Sequence, residues 1–557
     1  MARQKVISNK RKQKTKPDLL RDILQLIEMG LNMAVTIYLF LMIVVIPFYY
    51  TDGYAKIGSD KYQFFYKGTC GAGIVFMIFA FFYPVVRLCI MRRDKEIGRL
   101  KAEIFRIFKS ISVTDWFVLG YGVIVVLSYL CSDYKTDTDF GNAFEGVDRW
   151  FMGMRTQLFL VAVYFAVSRC WNKRKWLPVL SIPVTFVVFV LGYINRFGVR
   201  PFEMKNTTVA FISTIGNINW YCGYIVIPFF GILYYFWSMS EKKTWQNIVL
   251  GIWMTAGYGT LVTQGSRSGL VTLVVMMLVL YLISMKKVEN MLVFFFCCIC
   301  LGFICTLTYG FRYIWAEHFN YSDGLVDLLT NSPLAFVILG GAIFVYLLIT
   351  FLKKKGKSLV KVFTLLGYVA CGIACVSLVT FVVLGVVNTR YPGSLGGLSE
   401  VSALKFDLHW GSYRGATWAA GVQCFVDQDF VGKLLGVGPD SMAMYIQSGA
   451  NPALLTMKEE CFGGSLLTNA HCEWLTVLVN NGLLGMICYV GLFVTAIVRC
   501  FRAGKDNAMA GACGFAILAY TINNLFSFQQ ALSAVTIFIV LGMGEAFVRE
   551  KVQKKNN

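Results

Sequence analysis

Leu31–Tyr50 reads LNMAVTIYLFLMIVVIPFYY, twenty residues without one charge. About twenty apolar residues is the length a helix needs to cross the hydrocarbon of a bilayer. Runs of this kind recur along the chain, among them Gly71–Met91 and Leu270–Met285. Of 557 residues, 57% are hydrophobic and only 15% charged, more apolar than an ordinary soluble domain. A β-barrel would need segments of about ten residues in strict alternation, and these runs do not alternate. The pattern predicts an all-α polytopic membrane protein of about 14 transmembrane helices. They fall near 30–50, 71–91, 115–132, 151–169, 177–196, 218–237, 247–264, 269–285, 291–311, 333–352, 362–387, 481–499, 508–528 and 531–548.

Charge placement orients these spans. With the amino terminus inside, 36 of the 52 Lys and Arg fall in inside loops and tails and 16 outside. Asp and Glu divide about 12 to 19 the other way, so the inside is near +24 and the outside near −3. This is the positive-inside pattern. It places both ends in the cytoplasm and the chain in the cytoplasmic membrane as a multi-pass protein. It also removes nucleic acid as a partner: the basic residues face anionic membrane lipids. The first twenty-odd residues are too long and polar for a signal-peptide n-region.

Taken in order, 1–22 is a basic cytoplasmic tail and 23–210 an N-terminal transmembrane bundle. A second transmembrane region covers 211–387. A large extracytoplasmic loop covers 388–480, C-terminal helices 481–548, and a cytoplasmic tail 549–557. In Arg87–Lys109, apolar Ile97, Leu100, Ile104, Ile107 and Phe108 have the spacing of an amphipathic helix on the headgroups. Most of the 17 cysteines lie in apolar runs and read as small buried hydrophobes. Cys424, Cys461 and Cys472 in the large loop are odd in number and give no disulfide framework.

Polar groups gather at the outer ends of the spans. Asp137 and Asp139 form a DTD triplet that is a solvated loop or a divalent-metal site. Arg149 and Arg155 at a span boundary snorkel or meet phosphate. Gly216-Asn217-Ile218-Asn219-Trp220 opens a span, where Asn217 and Asn219 cap the helix or line a polar cavity. In LVTQGSRSGLVTLVVMML (Leu261–Leu278) two apolar runs meet with scarcely a loop between them. Arg267 therefore sits at the outer boundary, at the amino end of a helix whose N–H groups and dipole favour an anion. Arginine beside such an end makes a seat for pyrophosphate; the alternative is a boundary arginine on a lipid headgroup.

The large loop holds GSYRGATW (Gly411–Trp418) with Arg414, LLGVGPDSM (Leu434–Met442) with a glycine-proline turn, and NAHCEWLTVLVNNGLLG (Asn469–Gly485) with His471. His471 precedes an apolar helix that Asn469 is placed to cap. Imidazole titrates near neutrality and suits a general base. His318 and His409 are also outside. Glu473, two residues on, cannot share His471's helical face; it orients the loop, meets substrate or is solvated.

TQGSRSGL, the Arg414–Trp418 segment followed by GVGPDSM, and AHCEWL followed by NNGLLGM resemble, in that order, the O-antigen ligase and polymerase family; GNINW is similar to its G-N-x-N segment. The likeness runs over roughly Phe211–Phe528. Cys472, where asparagine is common, and an additional pair of spans depart from the pattern. The resemblance implies a membrane glycosyltransferase with an extracytoplasmic active site and no cofactor or metal. The implied donor is a glycan on polyprenyl pyrophosphate, and the acceptor a hydroxyl on a glycan or a lipid core. Its site would be catalytic His471, Arg414 and Arg267, with Asn217, Asn219 and Glu473 also meeting substrate. The rivals are a lipid-linked oligosaccharide flippase and a metal-dependent transferase using Asp137 and Asp139. A flippase needs charged or polar groups lining a path within the spans, and here charges concentrate at the outer boundary.

Reporters fused at Lys243, Lys287 and Lys355 are expected to read cytoplasmic, and those at Lys405 and Lys458 external. A cytoplasmic Lys405 fusion would put the loop on the wrong side for this chemistry.

Overall fold

The computed structural model describes residues 18–556, other than 175, 320 and 322. Most of the expected amino-terminal tail, and Asn557, lie outside the described residues. Most of what is described is helix, with two antiparallel hairpins of two-residue strands among the described residues. One pairs Gly141–Asn142 with Gly146–Val147, the other Phe211–Ile212 with Gly216–Asn217. Among the described residues, eleven helices are long and apolar enough to cross a membrane.

Three of the expected fourteen spans are helical but fall short of that mark. Met154–Cys170 has 17 residues and carries Arg155, Gln157 and Arg169. Thr244–Thr263 opens on polar residues. Ala508–Asn523 has 16 residues; the span expected to run to 528 stops at Asn523. From there to Gln530 the chain is a non-helical segment, mostly buried.

Burial sorts the helices. The Ala531–Glu550 span is 89% buried and Ile218–Ser238 67%, whereas Val360–Arg390 is 6% buried, so the first two form the centre and the last stands at the rim. In lipid, helices associate through close packing rather than through the hydrophobic effect. Accordingly Gly231 lies against Ala512 and Ala516 at the centre. A charged cluster ties the other end of the bundle. The buried Asp115 carboxylate accepts from Arg169 (2.6 Å), Arg549 (2.7 Å) and the Tyr164 hydroxyl (2.7 Å), and Glu545 pairs with Arg499 and Arg549. This gathers the start of helix Val113–Cys131 and the ends of Met154–Cys170 and Glu473–Gly504 at one face. It is the face the charge pattern assigns to the cytoplasm. The nearby Leu100–Lys109 helix buries none of its residues and leaves Ile104, Ile107 and Phe108 exposed, as the headgroup reading requires.

The large loop is itself folded. Helices Trp410–Val426, Phe430–Leu435, Met442–Gln447 and Pro452–Phe462 enclose a separate small core of Ala420, Cys424, Val437, Met442, Ile446 and Leu454. The loop ends earlier than expected, because helix begins at Glu473 and runs to Gly504. That helix breaks at Gly482 (φ 67°, ψ −172°), a backbone region essentially closed to any residue with a Cβ. The Val479 and Asn480 carbonyls freed by the break accept from the N–H groups of Val437 (3.0 Å) and Gly438 (3.1 Å). The segments LLGVGPDSM and NNGLLG thus cross in contact. A Cβ on Gly482 would lie 2.3 Å from the Leu434 carbonyl carbon, and one on Gly436 2.3 Å from that of Asn480.

Gly482→Ala is therefore expected to cost about 1–3 kcal/mol in backbone strain alone, before the overlap with Leu434. Gly372→Ala, with open space around it, is expected to be neutral. Equal thermal midpoints for both variants in detergent would contradict the crossing.

Candidate active site

Arg267 is the first residue of helix Arg267–Ser284, and the turn before it is heavily braced. The Gln264 side chain clasps Ser266, its Nε2 donating to the Ser266 carbonyl at 2.7 Å and its Oε1 accepting from the Ser266 N–H. The Ser266 hydroxyl donates to Asn219 Oδ1 at 2.9 Å and meets the Ser268 hydroxyl at 2.8 Å. Tyr321 donates to the Gly265 carbonyl at 2.9 Å. Arg196, 1% exposed, donates to the carbonyls of Gln264 and Val209 and stacks over Tyr321 at 4.8 Å. Burial lowers its pKa to about 10. Arg267 itself stays exposed, pairing with Asp323 at 3.3 Å.

Arg414 sits just after three left-handed residues, Gly411, Ser412 and Tyr413. Its NH1 donates to the Gly411 carbonyl at 2.7 Å and its Nε to the Phe526 carbonyl at 3.1 Å. Burial, and then the charge of Arg267, lower its pKa. The two arginines, 147 positions apart in sequence, are thus within electrostatic reach of each other.

His471 adjoins Arg414. Thr417, on the same helix as Arg414, donates to the Ala470 carbonyl at 2.9 Å and fastens the histidine segment alongside. The His471 backbone is left-handed (φ 48°), held by its N–H donating to Asn469 Oδ1 at 3.0 Å. Asn469 was expected to cap the helix; the capping position is Cys472, and Asn469 shapes the turn ahead of it. The imidazole packs edge-on to Phe528 with centroids 4.9 Å apart. Burial first, and the Arg414 charge second, lower its pKa to about 4. The ring is neutral around pH 7.

The remaining sequence candidates divide. Asn217 caps its helix, accepting from the Asn219 N–H at 2.9 Å, while the Asn219 side chain binds the Arg267 turn. Glu473 is not solvated: it is 5% exposed, and its Oε2 accepts from the Gln529 N–H at 2.7 Å. His409 is exposed and stacks on Tyr413, and His318 lies in a short exposed helical turn. Arg155 is engaged with Glu145 and Tyr62. Asp137 accepts from Asn142 within its own loop. Cys424, Cys461 and Cys472 are free thiols.

Three functional features escape the sequence reading. Arg196 read as a span boundary. Asp440 read as part of a turn, yet it is 5% exposed and accepts from the N–H groups of Val147 and Met152. The segment Asn523–Gln530 read partly as membrane span, yet it supplies the Phe526 carbonyl to Arg414, the Phe528 ring to His471 and the Gln529 N–H to Glu473. Its signal was present as NNLFSFQQ, an amide-rich interruption between two apolar runs.

Residues 324–490 match the family model described as O-antigen ligase, a stretch that includes Arg414, His471 and Glu473 but not Arg267. No curated protein matches the chain.

With His318 and His409 replaced by Ala, the single remaining histidine signal in NMR is expected to stay neutral on acidification to about pH 4. Arg414→Gln removes a repelling charge and should move that titration upward. Protonation of His471 near its ordinary value of 6.5 would contradict the burial described.

Proposed function

We propose, on the premise that this chain carries an O-antigen ligase domain over residues 324–490, that it transfers a glycan from a polyprenyl-pyrophosphate carrier to a hydroxyl acceptor at the outer face of the cytoplasmic membrane. The domain itself supports a glycosyl-transfer role in surface-polysaccharide synthesis. The observation that carries the finer reading is the grouping of Arg267, Arg414 and a neutral His471.

In this reading the acceptor oxygen attacks the anomeric carbon while His471 takes its proton. The new C–O bond forms as the bond from the anomeric carbon to the phosphate oxygen breaks, and the polyprenyl pyrophosphate leaves with the electron pair. Negative charge grows on that leaving group. Arg267 and Arg414 stabilise it, and their forked donors can pair two phosphate oxygens. The amino end of helix Arg267–Ser284 adds N–H groups of the same sense. Burial makes Arg414 costly to keep charged without an anion, so the ligand relieves the repulsion from Arg267. Asn219 and Arg196 hold the turn that aims Arg267, and Glu473 and Asn217 act through the backbone they bind. Arginine neutralisation makes a metal unnecessary for charge balance. The buried charges Lys61, Asp115 and Glu545 are each bonded to backbone carbonyls or to other charged groups, which leaves the flippase reading without support from them.

Arg267→Ala and Arg414→Ala are each expected to lower transfer about 10²–10³-fold at normal protein levels, with Lys restoring only part. Chelator is expected to leave the rate unchanged. Full activity in both Ala variants would remove these arginines from pyrophosphate binding, and chelator-sensitive transfer lost in Asp137→Asn would favour the metal-dependent rival. Ligase and polymerase are told apart by what builds up when the gene is deleted: long lipid-linked polymer for a ligase, single lipid-linked repeats for a polymerase.

A further inference from the structure

Behind the Phe528 ring lies a small polar cavity of about 30 Å³, room for one or two water molecules. Its lining includes two carboxyl groups, Asp440 and Glu473, and the amides of Gln157, Asn480, Asn481 and Gln529. Both carboxyl side chains are 5% exposed or less. No Lys, Arg or His is among the described residues that line it. Asn481, 1% exposed, has a buried side-chain N–H group without a protein partner, a donor for water in this cavity.

Each carboxyl commits one oxygen to backbone. Asp440 Oδ2 accepts from Val147 (2.9 Å) and Met152 (3.0 Å), and Glu473 Oε2 accepts from Gln529. Glu473 also takes a hydrogen bond from the Tyr489 side chain. The charge of Asp440 reaches Glu473. Two facing carboxylates in a buried space without a cation cannot both ionise cheaply; one keeps a proton. The other titratable groups whose charge reaches Glu473 are the phenols of Tyr121, Tyr489 and Tyr520, and none of them supplies a positive charge. On the loop that Asp440 binds, Asp148 and Arg149 are exposed.

The backbone that these carboxyls grip carries the wall of the histidine site. Trp150 lies between Val147 and Met152, and Phe528 precedes Gln529. The two rings meet edge-on at 5.1 Å, and Phe528 in turn meets His471 at 4.9 Å. We propose that Asp440 and Glu473 share a proton through cavity water and so act as a positioning pair, holding the Trp150–Phe528 wall against His471 only while that proton is kept. This rests on the proposed transfer reaction for its purpose, but not for its test. Burial agrees with it, pushing the Asp440 carboxyl up from 3.8 to about 7.

Because the folded state raises this pKa, the proton's contribution to stability is complete below the unfolded value. It is lost as pH rises from about 4 to about 7. The test compares the purified chain with Asp440→Asn, whose side-chain oxygen can still accept from Val147 and Met152 and whose amide can donate to Glu473. Over that interval the parental thermal midpoint is expected to fall, and the His471 ring signals, shifted by the Phe528 ring current, to move. In Asp440→Asn both should stay flat once the pH is above the titration of His471 itself, at about 4, and Glu473→Gln should flatten them in part. A parental slope retained in Asp440→Asn, or His471 signals that do not move with pH in the parent, would overturn the pair. So would a midpoint above pH 7 that sodium or calcium raises in the parent but not in Asp440→Asn, since a cation would then hold the place of the proton. Neither readout uses glycan transfer, so a failure of the proposed reaction leaves this result standing.

Discussion

Two backbone carbonyls organise the outer half of this protein. Helix Glu473–Gly504 breaks at Gly482, and the carbonyls of Val479 and Asn480 turn to the N–H groups of Val437 and Gly438. An unpaired carbonyl buried there would cost about 1–3 kcal/mol, so the crossing strand is required once the helix is broken. The crossing fixes the GPDS turn, the turn delivers Asp440 to the loop that carries Trp150, and Trp150 reaches His471 through Phe528. Ser128 and Ser132 add side-chain donors to the Asn480 and Val437 carbonyls, which ties the crossing to the N-terminal bundle. A loop on its own would be mobile; this one is pinned to a membrane helix beside the candidate site.

The electrostatics follow from that pinning. Arg414 is drawn into a half-buried position by the Phe526 and Gly411 carbonyls. There its charge discourages a proton on His471, and the charge of Arg267 acts on Arg414 in turn. Two like charges are thus held near each other, beside a neutral imidazole. The cost of holding like charges together is met by the rigid turn below Arg267, which Arg196, Gln264, Asn219 and Tyr321 all brace.

Much of this was legible in the sequence. Apolar runs of membrane length announced the helices, and the Lys and Arg bias announced which ends share a face, as the Asp115–Arg169–Arg549 cluster later bore out. Arg267 was visible because two apolar runs meet at it, His471 because it precedes an apolar helix, and Arg414 because its segment of the polar loop resembles the family's. Other features depended on contacts between distant segments. Nothing near Asp440 in sequence tells that Val147 and Met152 will donate to it. Asn523–Gln530 was absorbed into a span because hydropathy averages over its phenylalanines. Of the fourteen expected spans, eleven stand on length and apolarity among the described residues, and the other three are helices that are shorter or more polar. Glu473 was assigned solvent among its possibilities since spacing gives a residue's face on a helix but not what lies against it.

The central claim is that His471 performs chemistry at a site where the arginines do the holding. Purified His471→Ala, assayed side by side for binding of a polyprenyl-pyrophosphate-linked glycan and for its transfer, tests it most directly. The account requires parental binding with transfer reduced about 10²–10⁴-fold, the usual worth of a general base. Transfer at the parental rate would contradict it, and loss of donor binding would place His471 among the binding groups and leave the acceptor without its base.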